Sequence, residues 1–204
     1  NPNYEPGPED SIAGIAQIRS IDAMEVMYDL LVANDGKELF YQPLGGYQGY
    51  SLEGQKRLLV HPNVLFGLSD GGAHCGVIAD AGMPTFIMTH WGRDRSKGEK
   101  MELEFIVQAL TSKTAEAFGM FDRGLIREGM IADINVIDFE ALKLFRPEAI
   151  FDLPMGGRRL VQRAEGYDVT IKAGEVIFDK GEHTGALPGK LVRRSNNRPA
   201  QIAS

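Results

Sequence analysis

Residues 64–74 read Val64-Leu65-Phe66-Gly67-Leu68-Ser69-Asp70-Gly71-Gly72-Ala73-His74, an apolar run that passes directly into glycine and polar residues. The apolar part has no polar face, which is typical of a strand buried in a parallel sheet. A predicted strand, Glu38 to Leu44, and a short predicted helix that Ser51 caps come before it. Strands that alternate with helices favour a parallel α/β architecture such as a barrel.

Asp70 and His74 stand just beyond the carboxyl end of the predicted buried strand. In α/β barrels the catalytic groups collect at that end, because the loops there surround the barrel mouth. An aspartate held at such a place can ligate a metal and accept a proton from metal-bound water. Asp70-Gly71 is also a common turn, in which the carboxylate accepts hydrogen bonds from nearby amides. His74 could bind a metal, contact substrate or cap the loop.

The rest of the first half is predicted to be largely helical. Three prolines in residues 1–10 predict an extended lead-in. Apolar residues at helical spacing, with Ser20 as the N-cap, predict a helix that ends near Ala33. A glycine-rich loop is predicted over 73–100, followed by one long helix over 102–118.

After Gly124 the pattern changes to alternating and β-branched residues, most clearly over 131–137 and 167–178. These segments predict a small β domain. We therefore predict two domains, one over 1–120 and the other over 121–204.

The predicted loop over 73–100 contains two candidate substrate contacts, Trp91 and Arg93. A loop that leaves a barrel strand can fold over the mouth, and arginine can clamp a carboxylate with two parallel hydrogen bonds. A packed tryptophan beside a surface ion-pair cluster is the alternative interpretation. The chain contains no His-x-His pair, no Cys-x-x-Cys pair and no Walker-type loop, so taken alone it does not present a complete metal site of a recognisable kind.

Bulk properties exclude several classes of protein. The net charge of −6 gives no electrostatic reason to expect nucleic acid as a partner. No apolar run approaches the length of a membrane span. A single cysteine, Cys75, and the absence of a charged-then-apolar leader indicate a reducing, cytoplasmic setting.

Three motifs in order resemble one family. Gly67 to His74 looks like the end of the eighth barrel strand in amidohydrolases related to D-aminoacylase. The run 124–138, GLIREGMIADINVID, is similar to the strands that lead those enzymes from the barrel back to a β-sandwich. The run 174–189 resembles the close of N-acyl-D-amino-acid deacylases.

This resemblance implies a (β/α)8 barrel that holds one or two zinc ions and hydrolyses an amide with metal-bound hydroxide. Asp70 would be a metal ligand and also the group that takes a proton from the attacking water and passes it to the leaving amine. By the same resemblance, the zinc-binding histidines would lie on earlier strands, which we expect to be outside this chain. The expected fold is accordingly a partial TIM barrel, formed by the last strand-helix units, together with a small β-sandwich.

The resemblance also implies a small N-acyl amino acid as the substrate, bound through His74, Trp91 and Arg93. Because most of the barrel would be missing, we expect the isolated chain to be inactive. We also expect it to associate with itself or with the missing part, since an incomplete barrel exposes strand edges and apolar faces. Two alternatives stay open: a non-catalytic structural domain, and a hydrolase of cyclic amides or urea-type bonds.

Overall fold

The computed structural model describes residues 2–43, 45–67 and 74–193. The helices of this part are α1 (Ile12–Arg19), α2 (Ala23–Val32), α3 (Glu53–Leu59), α4 (Met83–Phe86), α5 (Leu103–Leu110) and α6 (Ser112–Ala117). The strands are β1 (Ile134–Ile137), β2 (Lys143–Leu144), β3 (Glu148–Leu153), β4 (Gly157–Val161), β5 (Ala164–Glu165), β6 (Tyr167–Lys172), β7 (Glu175–Asp179) and β8 (Glu182–His183). No helix within these residues is long and apolar enough to span a membrane.

The helix predicted from Ser20 is confirmed as α2, but a different residue caps it. Asp22 accepts a hydrogen bond from the Met24 amide, whereas Ser20 ends α1 in the left-handed conformation. Helix α1 itself was not predicted, because the prolines before it suggested an extended segment. Ser11 begins this helix by accepting a hydrogen bond from the Gly14 amide at 3.0 Å, so the prolines precede the helix and do not interrupt it.

Two predicted strands are wrong over the residues that the structure describes. Residues 38–43 and 64–67 lie in no sheet. An extended segment becomes a strand only where a neighbour accepts and donates its backbone hydrogen bonds. For the second segment the Val64 carbonyl instead accepts from Lys113 Nζ at 2.8 Å. Phe66 is nevertheless buried, as the apolar pattern required.

The loop predicted over 73–100 and the long helix over 102–118 also need correction. A π-helix over Ile87–Asp94 continues α4, with Pro84 in the first turn of α4, where its missing amide is tolerated. The helix predicted over 102–118 is broken into α5 and α6 at Thr111, whose φ of −120° and ψ of −92° are not helical. Glycines at both sides suggested a loop, but the run 83–91 is apolar enough to be buried.

The second half is β-rich, as predicted. β1, β6, β7 and β8 form one sheet in the order β1-β6-β7-β8, and β2-β5 and β3-β4 form two further pairs. Every strand pair in the described residues is antiparallel, and these sheets form no closed barrel. The partial TIM barrel and the β-sandwich are therefore not confirmed, although the mixture of helices and strands is.

The hydrophobic core contains residues from both predicted domains. Trp91 and Ile106 from the helical half are almost fully buried, as is Leu142 from the β half. Tyr167 of β6 packs against this core, and its hydroxyl lies 2.7 Å from the Thr85 hydroxyl. The division into domains after residue 120 stays a prediction.

Two glycines with left-handed backbone differ in the space around them. Gly166 has a φ of +93°, and a Cβ there would lie 2.6 Å from the Leu142 Cα. Gly174 has a φ of +85°, with no described atom within 4 Å of such a Cβ. The first glycine therefore has two reasons to lack a side chain, and the second has one.

We predict that Gly166→Ala destabilises the protein more than Gly174→Ala does. Alanine in the left-handed region costs about 1–2 kcal/mol, and forcing a methyl group against the Leu142 backbone adds about 1–3 kcal/mol. Urea unfolding of both variants gives the difference. Equal losses of unfolding free energy would show that the close approach of Gly166 to Leu142 adds nothing to the cost of the substitution.

Candidate functional site

Asp70 lies outside the described residues, so its roles as metal ligand and as base stay predictions. The chain is anchored on both sides of it. Phe66 is buried with its ring 6.1 Å from that of Phe105 on α5. Beyond Asp70, the Cys75 carbonyl accepts a hydrogen bond from the Leu160 amide of β4 at 2.6 Å. Phe66 before the motif thus contacts a core helix, and Cys75 after it contacts the β half.

His74 is exposed, and its φ of 49° places it in the left-handed region. Its carbonyl accepts hydrogen bonds from the amides of Val77 and Ile78 at 2.8 and 3.0 Å. The backbone of this residue therefore forms a turn, while its exposed position leaves the imidazole accessible. The predicted contact with substrate stays a prediction.

Trp91 and Arg93 lie on the π-helix and have defined contacts in the described residues. Trp91 is only 1% exposed and belongs to the core. Arg93 pairs with Asp94 and donates hydrogen bonds to three carbonyls that follow β1, those of Phe139, Glu140 and Leu142. These contacts join the π-helix to the β half, and substrate binding by either residue is still untested.

A charged cluster, buried except for the Glu53 side chain, lies beside the π-helix. Its members, named here the Glu5 cluster, are Glu5, Glu53, His90 and Arg95. The Arg95 side chain is fully buried and donates through Nε to Glu5 Oε2 at 3.0 Å and through Nη1 to Glu53 Oε2 at 3.0 Å. His90 Nε2 is 3.2 Å from Glu5 Oε2. The cluster links the amino-terminal segment, the start of α3 and the π-helix.

The surroundings shift the pKa values of this cluster. Burial alone would raise the pKa of Glu5, but hydrogen bonds from Arg95 and from the Leu52 amide outweigh it and hold that pKa below its ordinary value. Burial lowers the pKa of His90, although the Glu5 carboxylate opposes this shift. At neutral pH Glu5 is therefore a carboxylate, Arg95 a guanidinium and His90 a neutral imidazole.

An open groove of about 530 Å³ lies between α3 and the segment that leads into α5. Its apolar lining comes from Val60, Met101 and Phe105. Lys56 at its wall donates to Glu99 Oε2 at 3.1 Å. The charged residues that complete the lining are Glu53, Arg57, Lys100 and Glu102.

A family model described as "Amidohydrolase family" matches residues 5–178, which is most of the chain. The chain belongs to the amidohydrolase family. Membership indicates a hydrolase that acts on C–N bonds. The match includes the Glu5 cluster, the π-helix and most of the β half. No curated protein and no solved structure matches this amidohydrolase chain.

Metal binding is common in this family, so we tested whether the described residues of the amidohydrolase chain fit a metal. They contain no group of three or more His, Cys, Asp or Glu side chains that could hold one. The carboxylate of Glu5, which is close to His90, already pairs with Arg95. The described part alone does not fit a zinc site.

The sequence interpretation of the amidohydrolase chain missed the Glu5 cluster. Glu5 was in the predicted lead-in, and Arg95 was in a predicted loop. One signal was present: Trp91 and Arg95 are four residues apart, so on a helix they lie on the same side. In the structure the Arg95 guanidinium carbon indeed lies 4.7 Å from the centre of the Trp91 ring. This spacing is informative only if the segment is a helix, and the glycines in it suggested a loop.

Proposed function

We propose that this amidohydrolase chain serves in the hydrolysis of the amide bond of a small N-acyl amino acid, as in N-acyl-D-amino-acid deacylases. The observation that carries the proposal is the family match over residues 5–178. It includes the whole of the motif around Asp70 and the whole of the run 124–138. A barrel completed by further strands, with zinc held by ligands outside the described residues, belongs to the same proposal.

In this proposal Asp70 moves a proton. Its carboxylate accepts the proton of the attacking water and then donates it to the nitrogen of the leaving amine, so the group ends in its starting state. Zinc, when bound, would supply Lewis-acid chemistry. His74, Trp91 and Arg93 stay proposed substrate contacts, and of these His74 has the accessible position.

We predict that, in the enzyme whose barrel is completed by further strands, Asp70→Asn lowers kcat for the hydrolysis of N-acetyl-D-amino acids by about 10²–10⁴-fold, because an amide cannot accept and return the proton. The assay compares D and L substrates and a cyclic amide, with zinc present. Asp29→Asn, on the exposed surface of α2, is the matched control and should retain the unsubstituted rate. An Asp70→Asn protein as active as the control would remove Asp70 from the reaction.

A non-catalytic, self-associating domain is the second candidate, and one surface favours it. Helices α1 and α2 expose large apolar side chains, among them Ile18 at 69%, Met24 at 64% and Tyr28 at 65%. Apolar faces of this kind are typical of association surfaces. This candidate predicts no hydrolysis of any of the three substrates, together with a sedimentation coefficient that rises with protein concentration.

A further inference from the structure

The Glu5 side chain is a carboxylate enclosed by donors from other parts of the chain. It is only 4% exposed. Oε1 accepts from the Leu52 amide at 2.6 Å and from Arg95 Nη2 at 3.2 Å, and Oε2 accepts from Arg95 Nε at 3.0 Å. Two parallel bonds from one guanidinium form the planar arrangement that distinguishes a carboxylate from a spherical anion.

His90 supplies a further polar group at the same carboxylate. Its Nε2 is buried, lies 3.2 Å from Glu5 Oε2, and has no hydrogen-bond partner among the described residues. The imidazole stacks on Phe86 at 4.9 Å between ring centres and meets the Trp91 ring edge-on at 5.0 Å. The ring is therefore held in place with a buried nitrogen beside the site that makes no hydrogen bond to the described residues.

The donors are held by contacts that do not involve Glu5. Arg95 also donates to Glu53 Oε2 and to the Glu99 carbonyl, each at 3.0 Å, and its guanidinium lies over the Trp91 ring. The Leu52 carbonyl accepts the Lys56 amide in the first turn of α3. Removing the Glu5 side chain would leave these donors near their present positions.

The segment that bears Glu5 has its own attachments too. The Tyr47 hydroxyl donates to the Pro6 carbonyl, and the Tyr4 hydroxyl accepts from Gln162 Nε2 at 2.8 Å. The Tyr4 ring packs on that of Phe86 with centres 4.7 Å apart. The segment is thus held on both sides of Glu5, so truncation of this one side chain leaves a cavity lined by donors.

We propose that Arg95, the Leu52 amide and His90 form a carboxylate-binding site, in which Glu5 is the intramolecular ligand and which binds small free monocarboxylates once that side chain is removed. In the intact chain the bonds to Glu5 hold the amino-terminal segment against α3 and the π-helix. Formate and acetate have the planar group that the two arginine donors and the amide fit. Chloride lacks the second acceptor atom.

The test is a thermal-unfolding titration of Glu5→Ala with sodium acetate, at an ionic strength kept constant with sodium chloride. The dissociation constant should be on the order of 1–100 mM, as expected for a ligand of so few atoms. At ten times that concentration the midpoint should rise by roughly 3–6 °C. The intact chain and Glu9→Ala, which truncates an exposed glutamate of the same segment, should show no acetate-specific rise.

Glu5→Gln separates a carboxylate site from a general effect of acetate. Glutamine fills the cavity without supplying a charge, so this variant should be destabilised and should gain nothing from acetate. If Glu5→Ala is unfolded in chloride, the same titration is followed as recovery of the folded circular dichroism signal. The proposal is overturned if acetate and chloride have the same effect on Glu5→Ala in both measurements, or if Glu5→Gln gains as much.

Discussion

Arg95→Met is expected to lower the free energy of unfolding at pH 7 by about 3–5 kcal/mol, the usual cost of removing one partner of a buried ion pair. The Glu5 carboxylate would stay 96% buried with only the Leu52 amide and a neutral imidazole beside it. Methionine keeps much of the arginine's volume, so the loss reflects charge and hydrogen bonds more than packing. Urea unfolding measures it.

The pH dependence of this loss gives a second measurement. In the intact chain the pKa of Glu5 lies below its ordinary value, so the carboxylate stabilises the fold above the unfolded-state pKa, and this contribution is lost as pH falls through the folded-state pKa. In Arg95→Met burial remains without the arginine, which raises that pKa, and protonation then relieves the buried charge. The difference between the two proteins should shrink between about pH 5 and pH 3.

Arg163→Met is the control for Arg95→Met. Its guanidinium Nε donates to Glu148 at 2.8 Å, but the two side chains are 72% and 52% exposed. An exposed pair of this kind contributes about 0–1 kcal/mol. If both variants lost the same free energy of unfolding, burial would not explain how strongly the Glu5 cluster stabilises the protein.

Trp91→Ala is expected to cost about 3–5 kcal/mol, the range observed when a large buried aromatic side chain is truncated. The ring is 1% exposed, supports the Arg95 guanidinium and meets the His90 imidazole. Its removal therefore leaves a cavity in the core and weakens the Glu5 cluster at once. A protein with an ordinary unfolding free energy of about 5–15 kcal/mol would lose a large part of that stability.

Phe118→Ala at the end of α6 is the matched control, since Phe118 is 61% exposed. We expect its unfolding free energy to change by no more than about 0.5 kcal/mol. The comparison also bears on the proposed substrate contact of Trp91. A Trp91→Ala protein that unfolds like the unsubstituted chain, while its KM rises, would favour the contact with substrate over the core position.

Patterns among neighbouring residues correctly predicted the helices and strands that depend mainly on local interactions. The helical spacing after Ser20 predicted α2, and the alternation over 131–137 and 167–178 predicted β1, β6 and β7. The same patterns failed where the outcome depends on a distant segment. Residues 64–67 have the composition of a buried strand, but no strand of the described residues pairs with them. The Val64 carbonyl accepts a hydrogen bond from Lys113 Nζ instead.

The candidate site divides in the same way. Asp70 stood out because an acid after an apolar run is recognisable in the sequence alone, and the motifs around it indicated the family that the match over 5–178 shows. Arg93 also stood out, but the three carbonyls that it binds lie 46 to 49 positions later, and no spacing rule indicates them.

The sequence by itself determined the family, the existence of α2 and the β-rich second half, since motif order, helical spacing and alternation are all properties of neighbouring residues. Only the tertiary structure decided that Glu5 meets Arg95 across 90 positions and that glycine-flanked residues 83–94 are helical. The physical reason is that a buried charge persists only where folding brings donors to it, and these donors come from segments far apart in the chain.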